Sequence, residues 1–155
     1  MTNKTLGEVK LMTLRETPVV LADTPEKIAN YYNEVISKSA NFTDDTENFY
    51  VIFLNTRRKI IGYQLVTMGT LDTLHVHPRE TFRAAIVANC NAIVILHNHP
   101  SGDSTPSDAD IRCTKDLING GKILKIELLD HVIMGHANNG RGYTSLRELG
   151  YFSGF

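Results

Sequence analysis

Cysteine, long apolar runs and cationic clusters are all scarce in these 155 residues, and each scarcity removes a class of protein. There are two cysteines, Cys90 and Cys113, too few for a disulfide framework. Both read as small buried hydrophobes. No run approaches the ~18 apolar residues of a membrane span. The first twenty residues, with Lys4, Glu8, Lys10, Arg15 and Glu16, hold no continuous apolar core of a signal peptide. A cytoplasmic protein without membrane attachment is therefore expected. Net charge is −1, and the densest cationic cluster is Arg57-Arg58-Lys59. The electrostatic footprint of a duplex-binding domain is missing, so weak or no nucleic-acid binding is expected. Repeats and low-complexity segments are absent as well.

What is present suits one soluble globular domain. The chain is 42% hydrophobic and 21% charged, and long enough to bury a core without disulfides or a structural metal. We divide it into an N-terminal arm, 1–24, and a single domain, 25–155. Val9 to Leu14 suits a short edge strand within the arm. Thr24 can cap a helix that Pro25 begins, and Ile28, Tyr31, Tyr32, Val35 and Ile36 form its apolar stripe. Phe49 to Leu54 and Lys59 to Met68 read as a hairpin turning at 55–58. Alternation of Ile61, Tyr63 and Leu65 with Gly62, Gln64 and Val66 suggests one face more buried than the other. Leu71 to Val76 reads as another extended segment. Pro78 opens a helix whose inner face is Phe82, Ala85, Ile86 and Asn89. Residues 92–96 are a buried strand, 105–119 a helix closed by Gly120-Gly121, and 123–134 one or two strands. A short turn of helix is expected within 145–155. Strands and helices interleave, which predicts an α/β fold with a mixed sheet.

The stretch that carries chemistry is 97–110. His97 and His99 are two apart in extended chain and point to the same side. A helix is expected to start at Thr105, with Pro106 at its first position and Asp108 closing a Thr-x-x-Asp capping box. Ser107 and Asp110 then share one face of the first turns. Two imidazoles, a carboxylate and a hydroxyl meet at a strand-to-helix junction, the donor set of a hydrolytic metal site with an open position. His97, His99 and Asp110 are the expected ligands. Imidazole and carboxylate suit one Zn²⁺ per chain best, with Fe²⁺ or Mn²⁺ as alternatives. Of the competing carboxylates, Asp108 is better used as the cap, and Asp103 as a turn residue or outer partner.

The spacing His97-x-His99-Pro100, six residues, Ser107, two residues, Asp110 resembles the JAMM (MPN-type) metalloprotease motif. The flanking words HPRE at 77–80, HNHPSGDSTPS at 97–107 and ELLDHVIMG at 127–135 resemble the RadC branch of that superfamily. The likeness covers about two-thirds of the chain, Glu47 to Leu149. It implies a curved mixed β-sheet flanked by helices, an architecture similar to cytidine deaminases, with the metal at its edge. It also implies a glutamate base ahead of the first hairpin strand, where Glu47 stands. Glu80, within HPRE, is the rival, although a glutamate at a helix start usually serves the helix dipole. The resemblance gives Ser107 the part of steadying an oxyanion. Full-length RadC-type proteins carry a helix-hairpin-helix region ahead of this domain, and this chain resembles a short, stand-alone form without it.

The remaining histidines have plainer readings. His75 and His77 form a second His-x-His, with no third ligand at helical spacing behind them. His77 is assigned to structure or the rim of the site, His75 to solvent. Asp130 and His131 are strand neighbours facing opposite sides, so at most one looks towards the metal and core hydrogen bonding is expected. His136 receives no role. The leading expectation is a zinc-dependent hydrolase of peptide or isopeptide bonds, with a protein or peptide as substrate. The alternatives are a RadC-type DNA-repair factor or metal-dependent nuclease, and a non-catalytic interaction module stabilised by metal. An exposed edge strand would also suit a homodimer.

Overall fold

The computed structural model describes residues 20–40, 42–69, 76–138 and 140–154. The strand expected at 9–14 lies outside these, as do His75 and nearly all of the segment 71–76. In chain order the elements are α1 (Pro25–Glu34), a 3-10 turn (Ile36–Lys38), β1 (Glu47–Leu54), β2 (Ile60–Gly69), α2 (Pro78–Val87), β3 (Ala92–Asn98), α3 (Asp108–Leu124), β4 (Glu127–Met134) and β5 (Tyr143–Ser145). The strands form one sheet in the order β2-β1-β3-β4-β5. β3 and β4 run parallel, with α3 as their crossover, and the other neighbours are antiparallel. This is the mixed α/β sheet that the sequence predicts.

β1 and β3 are central and buried on both sides, so their apolar runs serve two cores. Tyr50, Ile52 and Leu54 with Ala92, Val94 and Leu96 pack beneath Ile28, Tyr31 and Tyr32 of α1. The intervening residues, Phe49, Val51 and Phe53 with Ile93 and Ile95, face Phe82 and Ala85 of α2 and Leu117 and Ile118 of α3. His97 follows in the second set, since side chains alternate along a strand. α1 begins as expected, with Thr24 accepting from the Lys27 amide and Pro25 in the first turn. Val20 to Ala22 lie alongside the β1–β2 hairpin: the Ile60 and Ala22 amides donate to the Val20 and Arg58 carbonyls.

Several local expectations fail for physical reasons. α3 starts at Asp108, capped by Ser107, and not at Thr105. The Asp103 carboxylate holds the Thr105 amide and hydroxyl in a turn of its own, at 2.9 and 2.7 Å. The helix then runs through Gly120 and Gly121 to Leu124, and Lys125 caps it in the left-handed region at φ 59°. Those glycines admit close packing: a Cβ at Gly121 would strike the Ile126 carbonyl, and one at Gly120 would crowd Phe82 and Pro78. β4 accordingly starts at Glu127. On α2 the inner face is Thr81, Phe82 and Ala85, while Ile86 is exposed and Asn89 follows the helix at φ 50°. β2 is partly exposed along most of its length and shows no clean alternation. Turns, not helix, follow Ser145.

Candidate metal centre

β3 delivers His97 from its buried end, and His99 follows one residue past the strand. The same register sets Phe49 opposite His97. The Phe49 ring stacks on that imidazole at 6.0 Å and meets His131 edge-on at 5.9 Å, closing the site from below. Behind the strand ends, Asn98 Oδ1 accepts from the Asn48 amide at 2.8 Å, and Asn98 Nδ2 donates to the Thr46 carbonyl at 2.9 Å. This clamp fixes the end of β3 against the start of β1.

The third donor arrives from the first turn of α3. Ser107 Oγ accepts from the Asp110 amide at 3.1 Å, and Asp110 Oδ2 accepts from the Ser107 amide at 2.8 Å. The capping box is therefore Ser107-x-x-Asp110, and Asp108 stands exposed at the first helical position. One carboxylate serves both as the cap partner and as a site donor. His97, His99 and Asp110 each offer a ligand atom within 4.8 Å of the others. His97 Nε2 lies 3.0 Å from His99 Nε2. From these two nitrogens, Asp110 Oδ1 and Oδ2 are 3.3 and 3.4 Å away.

Whether these residues fit a cation is answered by what they leave unmet. Asp110 is fully buried, yet its Oδ1 has no hydrogen-bond partner. His99 Nδ1–H donates to the Asp103 carbonyl at 2.7 Å, which leaves its Nε2 as an acceptor. A buried carboxylate oxygen and an imidazole lone pair converge, an arrangement that a cation relieves. Burial alone would push the Asp110 carboxyl up, but the two imidazoles and the Ser107 amide hold it well below the usual carboxylate range. Burial pushes His97 down, against the pull of Asp110. For His99 burial is outweighed by Asp110, the Asp103 carbonyl and the charge of Glu47, and the net direction is up. His99 is the most accessible of the three side chains, at 12% against 1% and 0%, so the centre opens on its side.

The loop that runs from His99 to Ser107 is stapled to the end of β4. The His99 amide donates to the Met134 carbonyl and the His136 amide to that of Gly102, at 2.8 and 2.9 Å. Gly102 has φ +85°, and any Cβ there would strike the His136 ring. His136 thus flanks the loop through its backbone and its bulk.

Glu47 opens β1, two residues before Phe49, on the face that carries His97. Glu80 sits in the first turn of α2, beside a groove shared with Arg83 and Gln64 to Thr67 of β2. His77 is the exposed N-cap residue of α2 and gives that helix no side-chain capping bond. Asp130 is buried and accepts from Ser145 Oγ and from the His131 and Arg147 amides, which ties β5 and the following turns to β4. His131 is fully buried: its Nε2 is 2.7 Å from His97 Nδ1, and its Nδ1 is 2.6 Å from Thr114 Oγ1. Burial, then the neighbouring His97, push it well below the ordinary histidine range. Core hydrogen bonding of Asp130 and His131 is as expected. The Thr114 contact is not legible in the sequence, because Thr114 and His131 stand seventeen positions apart, on different elements.

With this geometry, comparison with known proteins decides the family. Residues 22–151 match the RadC-like JAB domain. The chain belongs to that family. A UPF0758 protein of Staphylococcus carnosus is 44% identical over 147 residues, covering 95% of this chain and 61% of that relative. One from Caldanaerobacter subterraneus is 50% identical over 106 residues, covering 68% of this chain and 44% of its own length. Another, from Halalkalibacterium halodurans, is 38% identical over 142 residues. The chain thus spans about half the length of the curated relatives it matches. Family membership and the His-His-Asp cluster together suit a metal-dependent, hydrolase-like site. No helix among the described residues is long and apolar enough to cross a membrane.

Proposed function

We propose that this RadC-like domain is a zinc-dependent hydrolase of peptide or isopeptide bonds. The observation that carries the reading is the convergence of His97 Nε2, His99 Nε2 and the buried Asp110 Oδ1, which has no other hydrogen-bond partner. Nitrogen and carboxylate donors suit Zn²⁺ among the common divalent ions, and three protein ligands leave a position for the reacting molecule. When bound, the ion supplies a Lewis acid that polarises a carbonyl and eases deprotonation of water. The chain's own groups do the rest. Glu47, whose charge acts on His99, takes a proton from the attacking water and passes it to the leaving nitrogen. Ser107 Oγ already accepts from the Asp110 amide, so its own proton is free to point outwards and steady the developing oxyanion. Ser107 is exposed, so its hydroxyl is within reach of a molecule in solution.

A nuclease is the weaker reading. Phosphodiester hydrolases commonly use two metals or a cationic groove. Among the described residues His97, His99 and Asp110 are the single cluster suited to a metal, and Arg58, from the densest basic run, is paired with Glu127 at 3.3 Å. The test offers zinc-loaded protein both amide- and isopeptide-linked reporter peptides and labelled duplex DNA. Release of the amine, lost in Asp110→Ala, supports the proposal. Metal-dependent nicking of duplex that Asp110→Ala abolishes, with no peptide cleaved, overturns it.

A further inference from the structure

The hydrogen bonds behind His97 can run in one direction only. Thr114 Oγ1 lies 2.7 Å from the Asp110 backbone oxygen and 2.6 Å from His131 Nδ1. A carbonyl oxygen only accepts, so the hydroxyl proton of Thr114 goes to Asp110. The hydroxyl oxygen must then accept from His131, which puts a proton on His131 Nδ1. In a neutral imidazole the other nitrogen is an acceptor. His131 Nε2 therefore accepts from His97 Nδ1–H, across 2.7 Å. His97 is left with a bare lone pair on Nε2, the atom that faces His99 and Asp110. Reversing any link sets two acceptors or two donors against each other at hydrogen-bond distance. His97, His131 and Thr114 are at most 1% exposed, so bulk water cannot relieve such a clash.

We infer that Thr114 and His131 are positioning residues that fix the tautomer of His97 and present its Nε2 to the metal. The inference rests on the metal-centre reading above. Orienting a ligand imidazole needs less than this, as the single carbonyl partner of the half-buried His99 demonstrates. Here the relay ends on the backbone oxygen of Asp110, so the first and third donor residues are joined behind the centre by a chain of hydrogen bonds through β3, β4 and α3. His131 can serve as either donor or acceptor, and the direction comes from Thr114, one helical turn beyond Asp110.

The test uses the full chain with selectively ¹⁵N-labelled histidine, in zinc-free and zinc-loaded forms, beside a competition titration against a chromophoric chelator. Long-range ¹H–¹⁵N spectra should show His97 and His131 both protonated at Nδ1, with and without zinc. Thr114→Val keeps the shape but removes the hydroxyl, and should weaken zinc binding about 10–100-fold, the usual effect of losing an outer-shell partner. Thr114→Ser should restore both the affinity and the tautomers. His131→Gln, whose amide oxygen can still accept, should fall between them, and chemical unfolding of each variant separates loss of the relay from loss of the fold. Native-like affinity and unchanged His97 tautomer in folded Thr114→Val overturn the relay and leave the metal centre standing. Zinc retained in both His97→Ala and His99→Ala overturns both.

Discussion

Two His-x-His-Pro words occur in this chain, His75-Val76-His77-Pro78 and His97-Asn98-His99-Pro100, and they have different fates. In the first, Pro78 is already the opening residue of α2, so the chain turns into helix immediately and His77 is left exposed as its N-cap. In the second, eight residues separate His99 from the start of α3. That loop supplies the Asp103 carbonyl to His99 and brings Asp110 back over the end of β3. The second word also begins within a strand buried along its whole length, which fixes His97. A pair of histidines becomes a candidate site when a strand fixes them and a returning helix adds a carboxylate.

Breaking this contrast should have its largest effect on metal content. About one tightly bound zinc per chain is expected, held by three protein ligands. His99→Ala should lose it, and His77→Ala should keep it. Elemental analysis of the purified variants measures this. Zinc lost from His77→Ala, or kept in both His97→Ala and His99→Ala, would reverse the two words.

Next in size is the choice of base, because each word has an attendant glutamate. Glu47 lies across the sheet from the second, and Glu80 belongs to the first. Glu47→Gln should keep zinc and fold while lowering turnover of a peptide reporter about 10²–10⁴-fold, the usual contribution of general acid–base catalysis. Glu80→Gln should leave turnover near that of the parent. A dead Glu80→Gln beside an active Glu47→Gln would assign the base to α2.

The sequence shows the donors of the second word better than their support. His97 and His99 are legible as a pair because a period of two sets them on one side of extended chain, and Ser107 and Asp110 because helical spacing sets them on one face. That the two pairs meet is implied by the resemblance to the JAMM motif and accomplished by the loop between them. The helix start is ambiguous, since Thr105-x-x-Asp108 and Ser107-x-x-Asp110 obey the same capping grammar. Burial decides for the second, because Asp110 is inside and Asp108 is not. Gly120-Gly121 reads as a stop only until Phe82 and the Ile126 carbonyl are known to press against it. Thr114 and His131 carry no local signal, since their partners are set by the register of β3 on β4 and by the crossover of α3.

Burial of the second word also predicts an acid dependence in the zinc-free protein. His97 and His131 are pushed down, chiefly by burial, so the folded state refuses protons that the unfolded chain accepts. Their contribution is fully present above the unfolded histidine value near ~6.5 and is lost as pH falls below it, at up to ~1.4 kcal/mol per pH unit for each. His99 is pushed up, so its contribution changes only above ~6.5, where it weakens as pH rises, and it leaves the slope below that value unaltered. The net expectation is a loss of stability below pH ~6.5, at up to ~2.8 kcal/mol per pH unit from the two buried rings together. Urea unfolding of chelator-treated protein at pH 7.0 and 5.5 measures it. Stability that rises on acidification would mean that His97 and His131 are charged in the fold.

The smallest effect separates the two helix starts and, with them, two roles of one hydroxyl. Ser107 gives α3 a side-chain capping bond, and His77 gives α2 none. Ser107→Ala should therefore cost about 0.5–2 kcal/mol of stability, while Ser107→Gly, which a cap position tolerates, should cost only a few tenths. His77→Ala should cost less than Ser107→Ala. The glycine variant is the informative one, because it spares the helix while removing the proton that the oxyanion would need. If Ser107 acts in turnover, Ser107→Gly should remain folded and zinc-loaded yet lose about 10²–10³-fold in kcat, the usual effect of deleting one oxyanion donor. If it is a cap alone, turnover should follow stability, with Ser107→Gly close to the parent and Ser107→Ala below it. Unfolding midpoints and kcat measured on the same three preparations distinguish these outcomes.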